Sequence, residues 1–167
     1  MIFLRKFMVE DVDALSPIMR RAFDEDAKIH LHIEKGGPEG YDDGSFLKKW
    51  FLNTRASAFC IFNDDTLIGG INLWIKDSNY NFLGCLFIDP SYENKGYGTA
   101  VWKKIEEMYP NTECWRTETP IFSKRNHHFY IDKCGFKCVK IDKPDDYRNG
   151  SYILEKDMKQ NYRNRLI

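Results

Sequence analysis

The stretch Phe87-Ile88-Asp89-Pro90-Ser91-Tyr92-Glu93-Asn94-Lys95-Gly96-Tyr97-Gly98-Thr99-Ala100 holds the residues best suited to chemistry. A β-like run ends at Asp89-Pro90, a glycine-bearing loop follows, and a helical pattern begins. Glycines let the backbone approach a ligand without a Cβ clash. A helix start offers unpaired N–H groups and the positive end of its dipole, so the stretch has the makings of a phosphate cradle. An ordinary strand-to-helix turn accounts for the same residues equally well. Val101 stands where a dinucleotide fingerprint needs its third glycine, and no Gly-Lys-Ser/Thr triplet marks a nucleotidase loop.

Other reactive side chains are more scattered. His30, His32 and Glu34 alternate along a stretch read as extended, which would put them on one side as metal or substrate ligands, though no further ligand stands nearby. Cys134 and Cys138 lack a second close pair, so zinc is not expected. Cys85 could carry an acyl group, but Leu83 and Phe87 around it read as a packed strand face. His127 and His128 fall on a helix, in a phosphate-side or solvent position.

The elements that position these groups follow from periodicity. Residues 2–5 form a β-like opening, and Val12, Leu15, Ile18, Met19, Ala22 and Phe23 repeat at helical spacing. A breaker-rich loop with Gly36, Gly37, Pro38, Gly40 and Gly44 precedes a second helical pattern at Phe46, Leu47, Trp50 and Phe51. Strands are expected at 58–62, 67–75 and 82–88, joined by tight turns at 63–65 and 77–79 as an antiparallel meander. Val101, Trp102, Ile105 and Met108 give a helix stopped at Pro110. A strand at 114–118 ended by Pro120, a helix at 125–133 capped by Gly135, and closing strands at 136–141 and 151–154 complete the chain.

At 167 residues the chain has the length of one domain, large enough for a core without staples. Lys+Arg and Asp+Glu both total 25, so the basic excess of a nucleic-acid binder is missing. Five cysteines, an odd number, fit a reduced cytoplasmic setting better than a disulfide scaffold. Charges at Arg5, Lys6, Glu10 and Asp11 argue against a signal peptide. The longest uncharged stretches, 66–75 and 78–88, are too short to span a membrane.

The sequence resembles the GCN5-related N-acetyltransferase (GNAT) family. The resemblance rests on Asp89-Pro90, on Asn94-Lys95-Gly96-Tyr97-Gly98-Thr99-Ala100, and on Phe129-Tyr130-Ile131-Asp132-Lys133-Cys134-Gly135-Phe136 downstream. It implies a single α/β (α+β) domain over 1–156, with a charged tail at 157–167. Its sheet would be mixed and mostly antiparallel with flanking helices, its fourth and fifth strands parallel and splayed around acetyl-CoA. Glu93 departs from the family pattern, which has Gln or Arg there, and places a carboxylate beside the expected pyrophosphate for Lys95 to offset.

The resemblance assigns the pyrophosphate to backbone N–H groups of Asn94, Lys95, Gly96, Tyr97, Gly98 and Thr99, and the pantetheine to the strand edge at Leu86, Phe87 and Ile88. Ser123 and Asn126 are further hydrogen-bonders to that arm, and Ile88 N–H faces the thioester oxygen. Tyr130 matches the tyrosine that protonates the departing thiolate. Glu118 stands where members place a carboxylate facing the acceptor, with Asp89 in reserve. The activity implied is acetyl transfer from acetyl-CoA to a primary amine by direct attack in a ternary complex. An acetyl-CoA-binding module without turnover is the competing class, because Glu93 stands in the loop and Gly84 replaces a carboxylate on the fourth strand. A small-molecule acceptor is expected, with no nucleic acid and no membrane as partner, and homodimers are common in the family. Acidic residues outnumber lysines between Phe23 and Phe51, which favours a cationic amine such as a polyamine or amino sugar.

Overall fold

The computed structural model describes residues 1–159. Among these residues seven strands, β1 (Ile2–Lys6), β2 (Ser57–Asn63), β3 (Thr66–Trp74), β4 (Tyr80–Ile88), β5 (Cys114–Pro120), β6 (Lys137–Asp142) and β7 (Ser151–Asp157), form one sheet in the order β1-β2-β3-β4-β5-β7-β6. The chain divides into two compact units: Met1–Trp74 with Gly84–Val101, and Ile75–Leu83 with the chain from Trp102 onward.

In the first unit, β1 (Ile2–Lys6) pairs antiparallel with β2 (Ser57–Asn63), and β2 with β3 (Thr66–Trp74) through a turn in which Asp64 adopts a φ of 51°. An aspartate tolerates that left-handed backbone, which is why Asn63-Asp64-Asp65 reverses the chain tightly. Helix α1 (Val12–Leu31) buries Val12, Leu15, Ile18, Met19 and Ala22, the expected apolar face. They join Phe7, Leu47, Phe51, Ala58, Cys60 and Phe87 in one core cluster. Side chains such as these are worth ~1.5–3 kcal/mol each when fully buried.

Helix α1 continues well past the last expected apolar position and ends at His32, whose φ of 55° is left-handed. This corrects the reading of 30–34 as extended. His30 lies on the helix with Nε2 3.5 Å from Asp26 one turn back, so His30, His32 and Glu34 do not alternate along a strand. Among the described residues no group of three or more His, Cys, Asp or Glu could hold a metal ion.

In the second unit, the first half of β4 (Tyr80–Ile88) runs parallel to β5 (Cys114–Pro120), with the ladder extending from Tyr80↔Cys114 to Leu83↔Thr117. Strand β7 (Ser151–Asp157) pairs antiparallel with β5 on one side and with β6 (Lys137–Asp142) on the other. The last of the expected closing strands is inserted between its two predecessors. It also runs to Asp157 rather than 154, and Met158 N–H donates to Glu113 O at 2.9 Å. The remainder of the expected charged tail, 160–167, lies outside the described residues. The core of this unit contains Leu83, Trp102, Ile105, Trp115, Phe136 and Leu154. Helix α2 (Tyr97–Met108) begins in the first unit and ends in the second. The helix expected at 125–133 is a short α3 (Lys124–His127) that widens into a π-type turn over His128–Lys133. Among the described residues no helix is long and apolar enough to cross a membrane.

Candidate active site

The phosphate-cradle candidate begins at the end of β4. Asp89 N–H donates to Ile68 O at 2.7 Å, anchoring the strand end to β3. The Asp89 carboxylate then caps the turn at Pro90–Tyr92, accepting from Ser91 N–H at 3.1 Å and Ser91 Oγ at 2.8 Å. Its other oxygen accepts from Arg21 Nε of α1 at 3.1 Å and from Nη2 as well. Partial burial pushes the Asp89 carboxyl up, but the bonds from Arg21 and Ser91 together with the Arg21 charge outweigh it and hold the group below the usual carboxylate range. An ionised, doubly engaged carboxylate is a poor proton acceptor, so Asp89 is built as a turn anchor rather than as the reserve base.

Past that turn, Asn94 and Gly96 both take left-handed backbones, with φ of 57° and 78°. A Cβ added to Gly96 would meet nothing within 4 Å, so glycine is required there by conformation, not by space. The first intrahelical bond of α2 is Ala100 N–H to Gly96 O at 3.0 Å, which leaves the N–H groups of Tyr97, Gly98 and Thr99 ahead of the ladder. Successive N–H groups around left-handed residues make an anion-binding concavity, and the helix dipole adds to it. Lys95 bends back on the loop, Nζ donating to Ser91 O at 2.9 Å and lying 5.2 Å from the Tyr92 ring centroid.

Upstream of the loop, Leu86 and Ile88 are half-buried and Phe87 is buried. Two glycines on β3 admit this part of β4. A Cβ on Gly69 would sit 2.2 Å from Phe87 O, and one on Gly70 would lie 2.9 Å from the Phe87 ring. A Cβ on Gly84 would meet Asn72 Oδ1 at 2.7 Å and Trp74 Nε1 at 2.9 Å. Gly70, Asn72 and Trp74 share one face of β3, so Gly84 and Phe87, three residues apart, address that same face and β4 departs from strict alternation between them. Cys85 packs against the core, and burial pushes its thiol up to about 12, so the thiolate an acyl carrier needs is scarce at neutral pH.

In the second unit Tyr130 is buried within the π-type turn, its ring edge-on to Phe129 at 5.0 Å and to Phe136 at 5.7 Å. Glu118 lies on β5 opposite Ile153, exposed, between the buried Thr117 and Thr119. Ser123 is fully buried at the start of α3 and Asn126 is half-buried. His127 is a structural residue: Nε2 lies 2.9 Å from Pro120 O and the ring stacks on Tyr152 at 4.2 Å. His128 Nδ1 is 2.6 Å from Asp132, on an exposed side chain. Reasoning from the sequence missed Arg21, Asn72 and Trp74. Their partners lie far away along the chain or on the neighbouring strand, and no local motif announces them.

A family model described as "Acetyltransferase (GNAT) family" matches residues 17–136. The chain belongs to the GNAT acetyltransferase family. Among curated proteins this GNAT chain is similar to the uncharacterized protein YrkN of Bacillus subtilis (strain 168), 39% identical over 101 residues. That match covers 57% of this chain and 55% of the relative, so the chain spans little more than half of its curated relative's length. Among solved structures it is similar to the PaiA N-acetyltransferase of Thermoplasma acidophilum in complex with coenzyme A. The identity is 22% and the TM-score 0.74, with 94% of this chain and 99% of that one covered. The spermidine N-acetyltransferase of Vibrio cholerae in complex with CoA and spermine is 13% identical, TM-score 0.70, covering 96% and 98% of the two chains. The ribosomal-protein-S18-alanine N-acetyltransferase of Escherichia coli is 15% identical, TM-score 0.69, covering 95% and 94%. These solved structures share the GNAT fold with this chain.

Proposed function

We propose that the chain is an acetyl-CoA-dependent N-acetyltransferase that moves the acetyl group to a primary amine by direct attack in a ternary complex. The observation that carries this reading is the loop at 94–99. Two left-handed residues precede the unpaired first-turn N–H groups of α2, inside the segment that matches the family.

In this reading the backbone N–H groups of Asn94, Lys95, Gly96, Tyr97, Gly98 and Thr99 bind the pyrophosphate. Leu86, Phe87 and Ile88 carry the pantetheine, and Ser123 and Asn126 assist. The amine nitrogen attacks the thioester carbon, the C–S bond breaks, and the leaving sulfur takes its proton from Tyr130. An alkylammonium with a pKa near 10 is only ~0.1% neutral at pH 7, so a proton must leave the acceptor before attack. Glu118, exposed on β5, is the group assigned to help remove it.

The acceptor is a small-molecule amine rather than a nucleic acid or a membrane component, consistent with a net charge of zero. The relative of like fold from Vibrio cholerae, named for spermidine, takes an amine of that kind. The reading also includes one acetyltransferase domain over 1–156, a reduced cytoplasmic setting suited to five free cysteines, and a homodimer, which light scattering would test.

Calorimetry with acetyl-CoA, followed by thiol release across a panel of amines, is the deciding experiment. Binding with amine-dependent thiol release is expected. Binding without release by any amine would make the chain a cofactor-binding module, the reading that Gly84 in place of a carboxylate favours. No binding near neutral pH would remove both.

A further inference from the structure

The face of β3 beside Gly84 holds two polar atoms that no other described residue engages. Asn72 is 2% exposed, and its Nδ2 donates to Trp50 O at 2.6 Å. That bond fixes the amide orientation, because a carbonyl accepts only from the nitrogen side, so Oδ1 must point the other way, toward Gly84. Oδ1 has no hydrogen-bond partner among the described residues, yet it is not fully enclosed. It opens over Gly84, which is exposed on β4. Trp74 Nε1, a donor only, reaches the same space and likewise has no partner among the described residues.

Both atoms lie within 3 Å of the single point that a Gly84 Cβ would occupy. The arrangement is preorganised. Trp50 holds Asn72 through its carbonyl and packs its ring edge-on against Trp74 at 6.3 Å, so neither side chain is free to turn away. A nearly buried amide oxygen without a partner is costly, and a ligand that donates to it recovers the loss.

We propose that this space is an acceptor subsite and that it recognises a vicinal amino-alcohol unit, the amine donating to Asn72 Oδ1 and the neighbouring hydroxyl oxygen accepting from Trp74 Nε1. The proposal rests on the acetyltransferase reading and narrows its substrate class. An acceptor and a donor that flank the same exposed glycine match a ligand whose own donor and acceptor sit on adjacent carbons. An alkylamine or a polyamine has no oxygen to offer Trp74. Asn72 is neutral, so it favours the protonated, non-nucleophilic form of the amine less than a carboxylate would. Glycine at 84 leaves room for the ligand, and since its φ is not in the left-handed region, alanine there would act by filling that room.

The test is a titration of the ¹⁵N-labelled protein, without acetyl-CoA, followed at the tryptophan indole N–H resonances. The probes are 2-aminoethanol, glucosamine and propylamine. A saturable shift of the Trp74 resonance is expected with an amino alcohol and not with propylamine. A response to 2-aminoethanol identifies free amino alcohols as the source of the unit, and a response to glucosamine alone identifies the amino sugar. Gly84→Ala should abolish the shift. Trp74→Phe, which keeps a ring and removes the donor, should raise the KM of the responding amino alcohol ~10-fold while acetyl-CoA affinity stays unchanged. No Trp74 shift with either amino alcohol, or an equal shift with propylamine, overturns the subsite even if amines are acetylated. A specific shift in a protein that never releases thiol keeps the subsite and overturns the acetyltransferase reading instead.

Discussion

Tyr130 and Glu118 carry the chemistry in the proposed mechanism, and their surroundings differ enough for the two roles to be separated. The Tyr130 ring is held edge-on by Phe129 and Phe136, contacts that phenylalanine would keep. Tyr130→Phe therefore removes only the hydroxyl. Stopped or steady-state assays should find kcat lower by ~10²–10⁴ with acetyl-CoA affinity nearly unchanged. Near-wild-type turnover would take this tyrosine out of the reaction. Glu118 is exposed on β5, so Glu118→Gln should fold normally. The pH–rate profile should show its largest deficit at low pH, where the neutral amine is scarcest, with partial recovery at high pH. An unchanged profile would pass the base role to a water chain, since Arg21 and Ser91 already occupy the Asp89 carboxylate.

Single elements are fixed by polar contacts that the apolar pattern does not reveal. Arg21 of α1 and Asp89 at the end of β4 set where the glycine-bearing loop after β4 begins. The native Asp89 carboxyl lies below its ordinary value, so the contribution is fully present above the unfolded carboxylate pKa and lost as pH falls through the depressed native one. Asp89→Asn should cost about 1 kcal/mol at pH 7, a modest figure because the Arg21 side chain is half exposed, and should flatten the acid limb of the stability–pH curve. Denaturant melts across pH 2–7 would measure both.

In the second unit Lys156 of β7 pairs with Glu106 of α2, both largely buried, and Trp102 Nε1 donates to the same carboxylate at 2.9 Å. Lys156→Met strands a buried carboxylate and should cost ~3 kcal/mol. Adding Glu106→Gln, which keeps an acceptor for Trp102, should restore most of that loss in the same melts. A single variant as stable as the wild type would show that water already reaches the pair.

For the whole molecule, the five cysteines report on packing, since all are free. Burial pushes the thiols of Cys60, Cys85 and Cys134 up to about 12, and Cys114 is raised as well, while Cys138 is exposed. Under native conditions a disulfide reagent at pH 7.5 should label Cys138 quickly, and the buried Cys60 and Cys134 only at the rate of unfolding. With no disulfide to break, the melting temperature should be the same with and without reductant. Rapid labelling of several thiols in the folded protein would mean that the cores open far more often than their burial allows.

Features that depend on neighbouring residues are readable along the chain. The meander's turns, the Asp89-Pro90 strand end, the glycine loop and the start of α2 were all legible, because φ preferences and apolar periodicity are local properties. The family followed from the same loop together with the tyrosine segment around Tyr130. Which distant groups meet is settled by the packing of the folded chain. Arg21 finds Asp89 across 68 residues, Asn72 finds Trp50 across 22, and Lys156 finds Glu106 across 50. The insertion of β7 between β5 and β6 is a choice of the same kind. A local pattern specifies that a strand or a cation exists, whereas its partner is selected by the packing of the whole chain, where one arrangement satisfies the most buried polar groups at once.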